Sequence, residues 1–183
     1  MKATGIVRRI DELGRVVIPK EIRRTLRIRE GDPLEIFTDR DGEIILKKYS
    51  PIGELSGYAT EFVLAINKTF GISAAISDKD VFIAASGSGK RDLADKPVSG
   101  DIEQAILMRT QLTRSALKGD MIRITDGDDR EPYTAVYLSP IIALGDPIGA
   151  VLALSREEHA VISPDVTKAC EMVASFLGKL MEQ

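Results

Sequence analysis

The sequence predicts two domains of different class, a β-rich unit in residues 1–50 and an α+β domain with an antiparallel sheet in residues 56–183. The first observation is charge, because residues 1–50 carry 12 basic and 9 acidic side chains whereas residues 51–183 carry 13 and 19. The second is the run Ser50-Pro-Ile-Gly53, where proline and glycine break the pattern. The third is periodicity, since short β-branched runs precede this break and helical stripes frame the region after it. We therefore expect a linker over residues 51–55.

Composition limits the class of protein. With 44% hydrophobic and 29% charged residues, the chain of 183 residues resembles ordinary soluble globular proteins. No apolar run reaches the roughly 18 residues of a membrane-spanning helix, and no apolar signal core follows the N-terminus. A cytoplasmic protein without a membrane partner is therefore expected. The single Cys170 cannot form an intramolecular disulfide, and its place on an apolar helix face favours packing over reactivity.

The pattern of the N-terminal unit predicts two β-hairpins. The β-branched runs Gly5–Ile10 and Arg15–Ile18 flank a four-residue turn that ends in glycine, at Asp11–Gly14. A second pair of runs, Leu34–Phe37 and Glu43–Lys47, flanks another turn that contains glycine. Both pairs have the length and the residue types of short antiparallel strands.

A short helix is predicted between these hairpins. Pro19 suits the first turn of a helix over Lys20–Leu26, because its missing N–H would have no partner there anyway. Ile22 and Leu26 lie four residues apart and are expected to face the core.

A unit of this size needs a partner in order to fold. Roughly fifty residues with four short strands bury too little apolar surface to be stable alone, and such units rely on a metal, disulfides or a second chain. Residues 1–50 contain no Cys or His, which leaves only the second chain. We therefore expect a homodimer with strand exchange. Its two-fold axis would join the arginines of both copies into one cationic surface.

Residues 8–29 carry eight basic and three acidic side chains, in a chain whose net charge is −3. Such a block in an acidic protein predicts a polyanionic partner, which we take to be double-stranded DNA. The candidate DNA-binding residues are Arg8, Arg9, Arg15, Arg23 and Arg24. The alternative is a solvated surface, on which Arg27 and Arg29 pair with the nearby carboxylates of Glu30, Asp32 and Glu35.

The same residues resemble the N-terminal domain of the AbrB-type transition-state regulators, a swapped-hairpin dimer. The motifs are Gly5-Ile-Val-Arg8, Asp11-Glu-Leu-Gly-Arg15-Val-Val-Ile-Pro19, Arg23-Arg-Thr-Leu26, Leu34-Glu-Ile36 and Ile45-Leu-Lys-Lys-Tyr49. In that family the arginines at the positions of Arg8, Arg15, Arg23 and Arg24 contact DNA, and position 9 is basic but varies in type. The resemblance implies a DNA-binding transcription regulator. Related antitoxins share the fold but carry a short disordered tail that neutralises a toxin, whereas a folded second half is expected here.

Amphipathic helices are predicted at both ends of the C-terminal domain. Apolar residues recur at helical spacing in two stripes: Leu55, Ala59, Phe62, Ile66 and Thr69, and Val166, Ala169, Val173, Phe176 and Leu180. The two helices are expected to lie side by side across a sheet. Their stripes are wide enough either to form the domain core or to pair with another protomer.

The region between these helices is mainly β in pattern. A helix capped by Ser99 is predicted to run through Met108. The predicted strands are Ala74–Ile76, Val81–Ala84, Met121–Ile124, Thr134–Leu138, Ile141–Ala143 and Ile148–Ala153. This order of helices and strands is typical of an α+β domain.

This order, with Pro140-Ile-Ile and Gly145-Asp-Pro-Ile-Gly-Ala-Val151 near the end, resembles the GAF sensory domain. Together with the AbrB-type N-terminus, the chain is similar to a family of two-domain sporulation regulators. The resemblance implies a regulator of late sporulation genes that is associated with the nucleoid of the developing spore. It also implies a homotetramer held by helices of the C-terminal domains. Whether the GAF-like domain binds a small molecule stays open at this point.

The sequence contains few groups for catalysis, so no enzymatic activity, cofactor or metal is expected. His159 lies in a polar loop, where exposure to solvent is expected. The segment Ser86–Arg91 is similar to a phosphate-binding loop, but Ala84 and Arg91 stand where such a loop requires Gly and Ser or Thr. It is either an ordinary turn or an anion-binding nest. Two further functions therefore remain beside DNA regulation: a small-molecule sensor whose output is assembly, and an enzyme built on this loop.

Overall fold

The computed structural model describes residues 5–127 and 132–182, and the chain divides into two compact units, Met1–Tyr49 and Ser50–Gln183. The outermost parts of the two expected domains, residues 1–4 and 183, lie outside the described residues, as do residues 128–131. In the described ranges, no helix combines the length and the apolar character that crossing a bilayer requires.

The first unit contains helix α1 (Lys20–Thr25), strand β1 (Leu34–Thr38) and strand β2 (Ile44–Lys48). The two strands pair in antiparallel register from Leu34 opposite Lys48 to Thr38 opposite Ile44. Their turn is held by Asp39, whose Oδ1 accepts hydrogen bonds of 3.0 Å from the backbone N–H groups of Asp41 and Glu43. The predicted helix and the second predicted hairpin are thus confirmed.

The first predicted hairpin differs from the expectation, because neither 5–10 nor 15–18 forms a strand in the single chain. The turn between them does form, closed by a 3.0 Å hydrogen bond from Asp11 N to Arg15 O. A strand needs a neighbouring strand for its backbone groups. The described part of one copy pairs β1 only with β2 and offers no third strand to these runs.

The second unit is built on a five-stranded antiparallel sheet in the order β4-β3-β7-β6-β5. Its strands are β3 (Ser73–Ser77), β4 (Phe82–Ser86), β5 (Leu112–Ser115), β6 (Ala135–Ala143) and β7 (Asp146–Ser155). Its helices are α2 (Pro51–Glu54), α3 (Ser56–Phe70), α4 (Lys90–Leu93), α5 (Gly100–Leu107) and α6 (Pro164–Leu180). Short 3₁₀ turns occupy Gly87–Gly89 and Ala116–Lys118.

Both faces of this sheet are covered, so successive residues of the central strand β7 enter two different cores. Val151 and Ala153 face helices α3 and α6, whereas Leu152 and Leu154 face α4 and α5, and all four are fully buried. The first and last helices lie together as predicted, with the rings of Phe62 and Phe176 5.4 Å apart in an edge-to-face arrangement. Burial on both faces explains why the strand is continuously apolar.

The expected linker at residues 51–55 is a helical turn of the second unit. Ser50 caps α2, since its Oγ accepts a 3.1 Å hydrogen bond from Gly53 N. Ile52 is fully buried in the core beneath α3 and α6. The Pro-Gly composition that predicts a linker therefore marks a tight capped turn, because one buried isoleucine anchors the segment to the domain.

Between α5 and β7, one predicted strand is wrong and one observed strand was not predicted. Met121–Ile124 is not a strand, although Ile124 is buried, and pairing in this region is limited to an isolated bridge between Val98 and Thr125. The edge strand β5 is absent from the sequence predictions, because Leu-Thr-Arg-Ser is short and mostly polar.

Strand β6 joins two predicted strands and runs through Pro140. Leu138 is the last residue of β6 that pairs with β5, so from Ser139 onward β6 has only β7 as a neighbour. Proline is tolerated there because its missing N–H falls on the open edge.

Gly178 allows α6 to approach the sheet closely. A Cβ atom at this position would overlap the backbone carbonyl oxygen of Ile142 in β6, which cannot move aside as a flexible side chain could. We expect Gly178→Ala to lower the free energy of unfolding by about 1–3 kcal/mol, as overpacking does. Urea unfolding of the whole chain measures the change.

The matched control is Gly57→Ala in α3, where a Cβ would meet nothing within 4 Å. This variant should be more stable by about 0.4–1 kcal/mol, because alanine restricts the unfolded chain. Equal effects of the two substitutions would contradict the close contact between α6 and β6.

Candidate nucleic-acid interface

A braced turn carries three of the five candidate arginines. Asp11 Oδ1 accepts hydrogen bonds from the backbone N–H groups of Leu13 at 3.0 Å and Arg15 at 2.7 Å. Gly14 closes the turn with a φ of 76°, a left-handed conformation that glycine adopts without strain. Arg8 and Arg9 precede this turn and Arg15 follows it. The sequence therefore places these three side chains on both sides of one fixed loop.

The guanidinium groups at this turn are open to solvent. Arg8, Arg9 and Arg15 are all exposed. Arg15 Nε lies 3.8 Å from Asp11 Oδ2, but the two side chains are 68% and 51% exposed, so solvent screens this pair. Such a weak pair can be exchanged for a phosphate group. The carboxylate therefore orients the turn through its backbone hydrogen bonds more than it neutralises Arg15.

Helix α1 carries the other two candidates, Arg23 and Arg24, in its last turn. Arg24 is exposed and Arg23 is half-buried. The helix starts after the buried Pro19, whose carbonyl accepts a 2.9 Å hydrogen bond from Arg23 N. Basic side chains at a helix C-terminus also interact favourably with the helix dipole. The structure thus presents the five arginines in two groups, one at the turn and one on the helix.

The loop after α1 is braced by an ion pair that has no signature in the sequence. Lys48 Nζ, at the end of β2, lies 3.0 Å from Asp32 Oδ2 and donates a 3.0 Å hydrogen bond to Arg27 O. Asp32 Oδ2 also accepts a 2.8 Å hydrogen bond from Arg29 N. The sequence suggests Asp32 as a partner for the Arg27 and Arg29 side chains; its carboxylate forms an ion pair with Lys48, and the charge of Arg29 also acts on it. Only tertiary structure brings residues 32 and 48 together.

These interactions change the acidity of Asp32. Burial alone would raise its pKa, but the hydrogen bond from Arg29 N and the ammonium group of Lys48 outweigh burial, and the net effect is a lowered pKa. The carboxylate therefore stays ionised and holds the loop between α1 and β1 at physiological pH.

Apolar side chains of the first unit are exposed to an unusual degree. The most exposed, at 65% to 86%, are Val7, Ile10, Leu13, Val17, Ile36 and Ile44. Among the described residues of this unit, only Pro19 is fully buried. One copy therefore has no hydrophobic core of its own, which agrees with the expected need for a second chain.

His159 is exposed, as expected, and its Nε2 lies 3.7 Å from Glu158 Oε1. The described residues contain no cluster of three His, Cys, Asp or Glu side chains able to hold a metal ion. Cys170 is buried, as its helix position predicts.

Comparison with protein families gives two matches that together span nearly the whole chain. Residues 54–182 match the family described as stage V sporulation protein T C-terminal, transcription factor. Residues 7–54 match the family described as antidote-toxin recognition MazE, bacterial antitoxin.

Individual relatives agree with this division. Stage V sporulation protein T of Bacillus subtilis (strain 168) is 52% identical over 183 residues, which are 100% of both chains. The transition state regulatory protein AbrB of the same organism is 71% identical over 51 residues, 28% of this chain and 52% of that protein. The GAF domain of an Acinetobacter phosphoenolpyruvate-protein phosphotransferase superposes with a TM-score of 0.58 at 11% identity, over 74% of this chain and 84% of that one. This last likeness establishes a GAF-like fold for the second unit.

The ion pair at Asp32 predicts a dependence of stability on pH. Because the folded-state pKa is lowered, the carboxylate stabilises the fold fully above its ordinary value of 3.8 and progressively less as the pH falls through the folded-state value. At neutral pH we expect Asp32→Asn to destabilise the first unit by about 1.5–3 kcal/mol, the range for a hydrogen bond to a charged group. Urea unfolding of the whole chain, followed by NMR signals of residues 5–49, measures this difference.

The difference between the native protein and Asp32→Asn should shrink in acid. Asp41→Asn is the control, because Asp41 is exposed on the turn between β1 and β2. A difference that persists unchanged well below pH 3.8 would contradict the role of the ionised carboxylate.

Proposed function

Because the chain belongs to the stage V sporulation protein T family of transcription factors, we propose that its N-terminal arginines form the surface that contacts DNA. The protein is a DNA-binding regulator of sporulation genes. The observation that carries the assignment of the surface is the presentation of Arg8, Arg9, Arg15, Arg23 and Arg24 on a braced turn and a short helix. A net charge of +3 on residues 1–50 would attract a polyanion to this unit.

Arginine suits both parts of DNA recognition. Its guanidinium forks onto phosphate oxygens, which positions the protein, and onto guanine edges, which reads sequence. Helix α1 has only six residues and offers no long recognition helix for the major groove. We therefore propose that shape and deformability of the DNA supply much of the selectivity, with few direct base contacts.

The DNA-binding surface is proposed to require two copies. Segments 5–10 and 15–18 have strand-like sequences without a partner strand, and the apolar residues around them are exposed. Exchange of these segments between two chains would complete a sheet and bury the apolar side chains. The two-fold axis would then place two sets of arginines on one cationic surface.

A higher assembly is proposed to form through the second unit. Helices α3 and α6 bury one face against the sheet but keep four large apolar side chains 45% to 66% exposed, those of Tyr58, Leu64, Met172 and Phe176. Pairing of these faces between dimers would give a homotetramer. Two linked DNA-binding dimers would hold adjacent sites at a raised effective concentration.

Regulation is favoured over toxin neutralisation as the role of the whole chain. The match to an antitoxin family is confined to residues 7–54, and the folded domain after it matches a transcription factor. The chain is proposed to act on the nucleoid in the cytoplasm of the developing spore, with no catalytic role. Its GAF-like domain is proposed to sense a small molecule.

The arginine surface can be tested by salt dependence. We expect Arg15→Ala to weaken DNA binding across sequences and to reduce the slope of log K against log salt by about one unit, because one phosphate is no longer neutralised. Fluorescence anisotropy of the whole chain on a labelled duplex, over a range of salt concentrations, provides both quantities.

The control is Arg40→Ala, which removes another exposed arginine, from the turn between β1 and β2. This variant should keep the native affinity and slope. Equal reductions of the slope in both variants would favour a nonspecific charge effect. An unchanged slope for Arg15→Ala would favour DNA binding as an incidental property of the protein.

The assembly role can be tested separately. Phe176→Glu places a charge on the exposed face of α6 beside Phe62 and should convert tetramers to dimers. Light scattering after size-exclusion chromatography measures the mass. Met108→Glu, at a residue that is 65% exposed and follows α5, should leave the mass unchanged. A native mass for Phe176→Glu would contradict the proposed interface.

A further inference from the structure

The second unit contains a cavity of about 720 Å³ at the end of the sheet where β3 begins and β7 ends. Its walls come from the end of α3, the loop between β7 and α6, and the first turn of α6. The volume lies within the range of roughly 300–1,000 Å³ that small-molecule sites occupy. Every wall belongs to the second unit, so the cavity exists without any contribution from the DNA-binding unit.

One side of the cavity is apolar. Phe70 from the end of α3, Ile72 just before β3 and Val166 from α6 line it. Val166 belongs to the core beneath α3 and α6 and Ile72 packs against that core, so their positions are fixed by packing. Such a wall suits the hydrocarbon part of a ligand, because each apolar group that leaves water there contributes to binding.

The other side carries serine hydroxyls, one of them from the segment that is similar to a phosphate-binding loop. Ser73 Oγ and Ser88 Oγ lie 3.2 Å apart and both residues line the cavity. Gly87 makes this approach possible, since its φ is 78° and a Cβ there would lie 2.6 Å from Ser73 Oγ. The turn therefore fixes Ser88 against β3, and each hydroxyl can both donate and accept hydrogen bonds.

Arg156 supplies a fixed positive charge to the lining. Its side chain is 15% exposed and its guanidinium carbon lies 4.3 Å from the centre of the Tyr133 ring. Its Nη1 lies 2.8 Å from Asp92 Oδ2. The stacking and the ion pair together hold the group in place before any ligand arrives, which reduces the entropy cost of binding.

We propose that this cavity binds a small organic anion, a carboxylate or phosphate carried on an apolar body. The proposal rests on the sensing role proposed above for the C-terminal domain and names its ligand by chemical class. Arg156 and the serines would bind the anionic group. Phe70, Ile72 and Val166 would contact the apolar part.

Charge favours an anion over a neutral ligand. Glu157 also lines the cavity, but it is exposed, so water screens its charge more strongly than that of the largely buried Arg156. Asp92, the partner of Arg156, is 51% exposed and is not part of the lining. Charges act more strongly where the local dielectric is lower, so the largely buried Arg156 guanidinium attracts an anion more strongly than an exposed one would.

The test uses the whole chain and three probes of one size: phenylacetate, phenyl phosphate and the neutral phenylacetamide. Binding is read from chemical-shift changes in NMR titrations. At least one anion should bind about tenfold more tightly than the amide. The two anions then distinguish a carboxylate from a phosphate as the preferred group. Failure of both anions to bind, or equal binding of the amide, would overturn the proposal.

Two variants locate the binding site. Arg156→Gln removes the charge, and Val161→Trp fills the cavity from a wall residue that is 76% exposed, so the core stays intact. Each should weaken binding of the preferred anion at least about tenfold. Leu144→Trp is the control, because Leu144 is 79% exposed on the turn between β6 and β7, away from the cavity lining. This variant should bind the anion with native affinity. If Arg156→Gln did not fold, Val161→Trp alone would decide: unchanged binding of the anion by this variant would show that the anion does not bind in the cavity.

DNA binding by the same samples, measured without probe, keeps the two proposals separate. Native DNA affinity with no anion binding would refute the ligand site and leave the regulatory function standing. Anion binding together with a DNA affinity that does not depend on Arg15 would refute the proposed arginine surface and leave the ligand site standing.

Discussion

Burial of apolar surface is the constraint on which the first unit depends, because one copy buries almost none of it. Val7 and Val17 are 86% and 71% exposed, and among the described residues of this unit only Pro19 is fully buried. Segments that are rich in β-branched residues therefore form no strands in the described part of a single chain. Burial of apolar surface also matters for function, because the backbone of this unit sets the positions of the arginines relative to one another.

The second unit is organised in the opposite way. Its sheet is covered on both faces, and the strand β7 contributes residues to two separate cores. A domain that is stable by itself can link DNA-binding units and can hold a preformed cavity beside fixed side chains such as Arg156. The chain thus combines a unit that buries little apolar surface in one copy with a unit whose described residues surround two cores.

Sequence reasoning succeeds where local pattern determines structure and fails where distant residues do. Helical spacing locates the first and last helices of the GAF-like domain, whereas the DNA-contacting role of the arginines stays a prediction. The pattern assigns strands to residues 5–10, which form no strand in the single chain, and it misses Leu112–Ser115, whose pairing depends on β6. It also misses the bracing roles of Asp11 and of the Lys48–Asp32 pair. The Asp-x-x-Gly pattern of the turn could have indicated the role of Asp11. Lys48 and Asp32 are sixteen positions apart in the sequence, so their ion pair leaves no local signal.

The buried thiol in α6 has a consequence for how the protein responds to its surroundings. Burial raises the pKa of Cys170 to about 12, with a smaller contribution from the neighbouring Glu171 carboxylate. The sulfur therefore stays protonated and out of reach of oxidants, which attack thiolates at accessible positions. Because this sole cysteine of the chain is buried, no accessible thiol is present for a covalent link between subunits. Reagents that act only on thiols should thus leave the assembly untouched, and a dye attached through a newly introduced surface cysteine would report from that position alone.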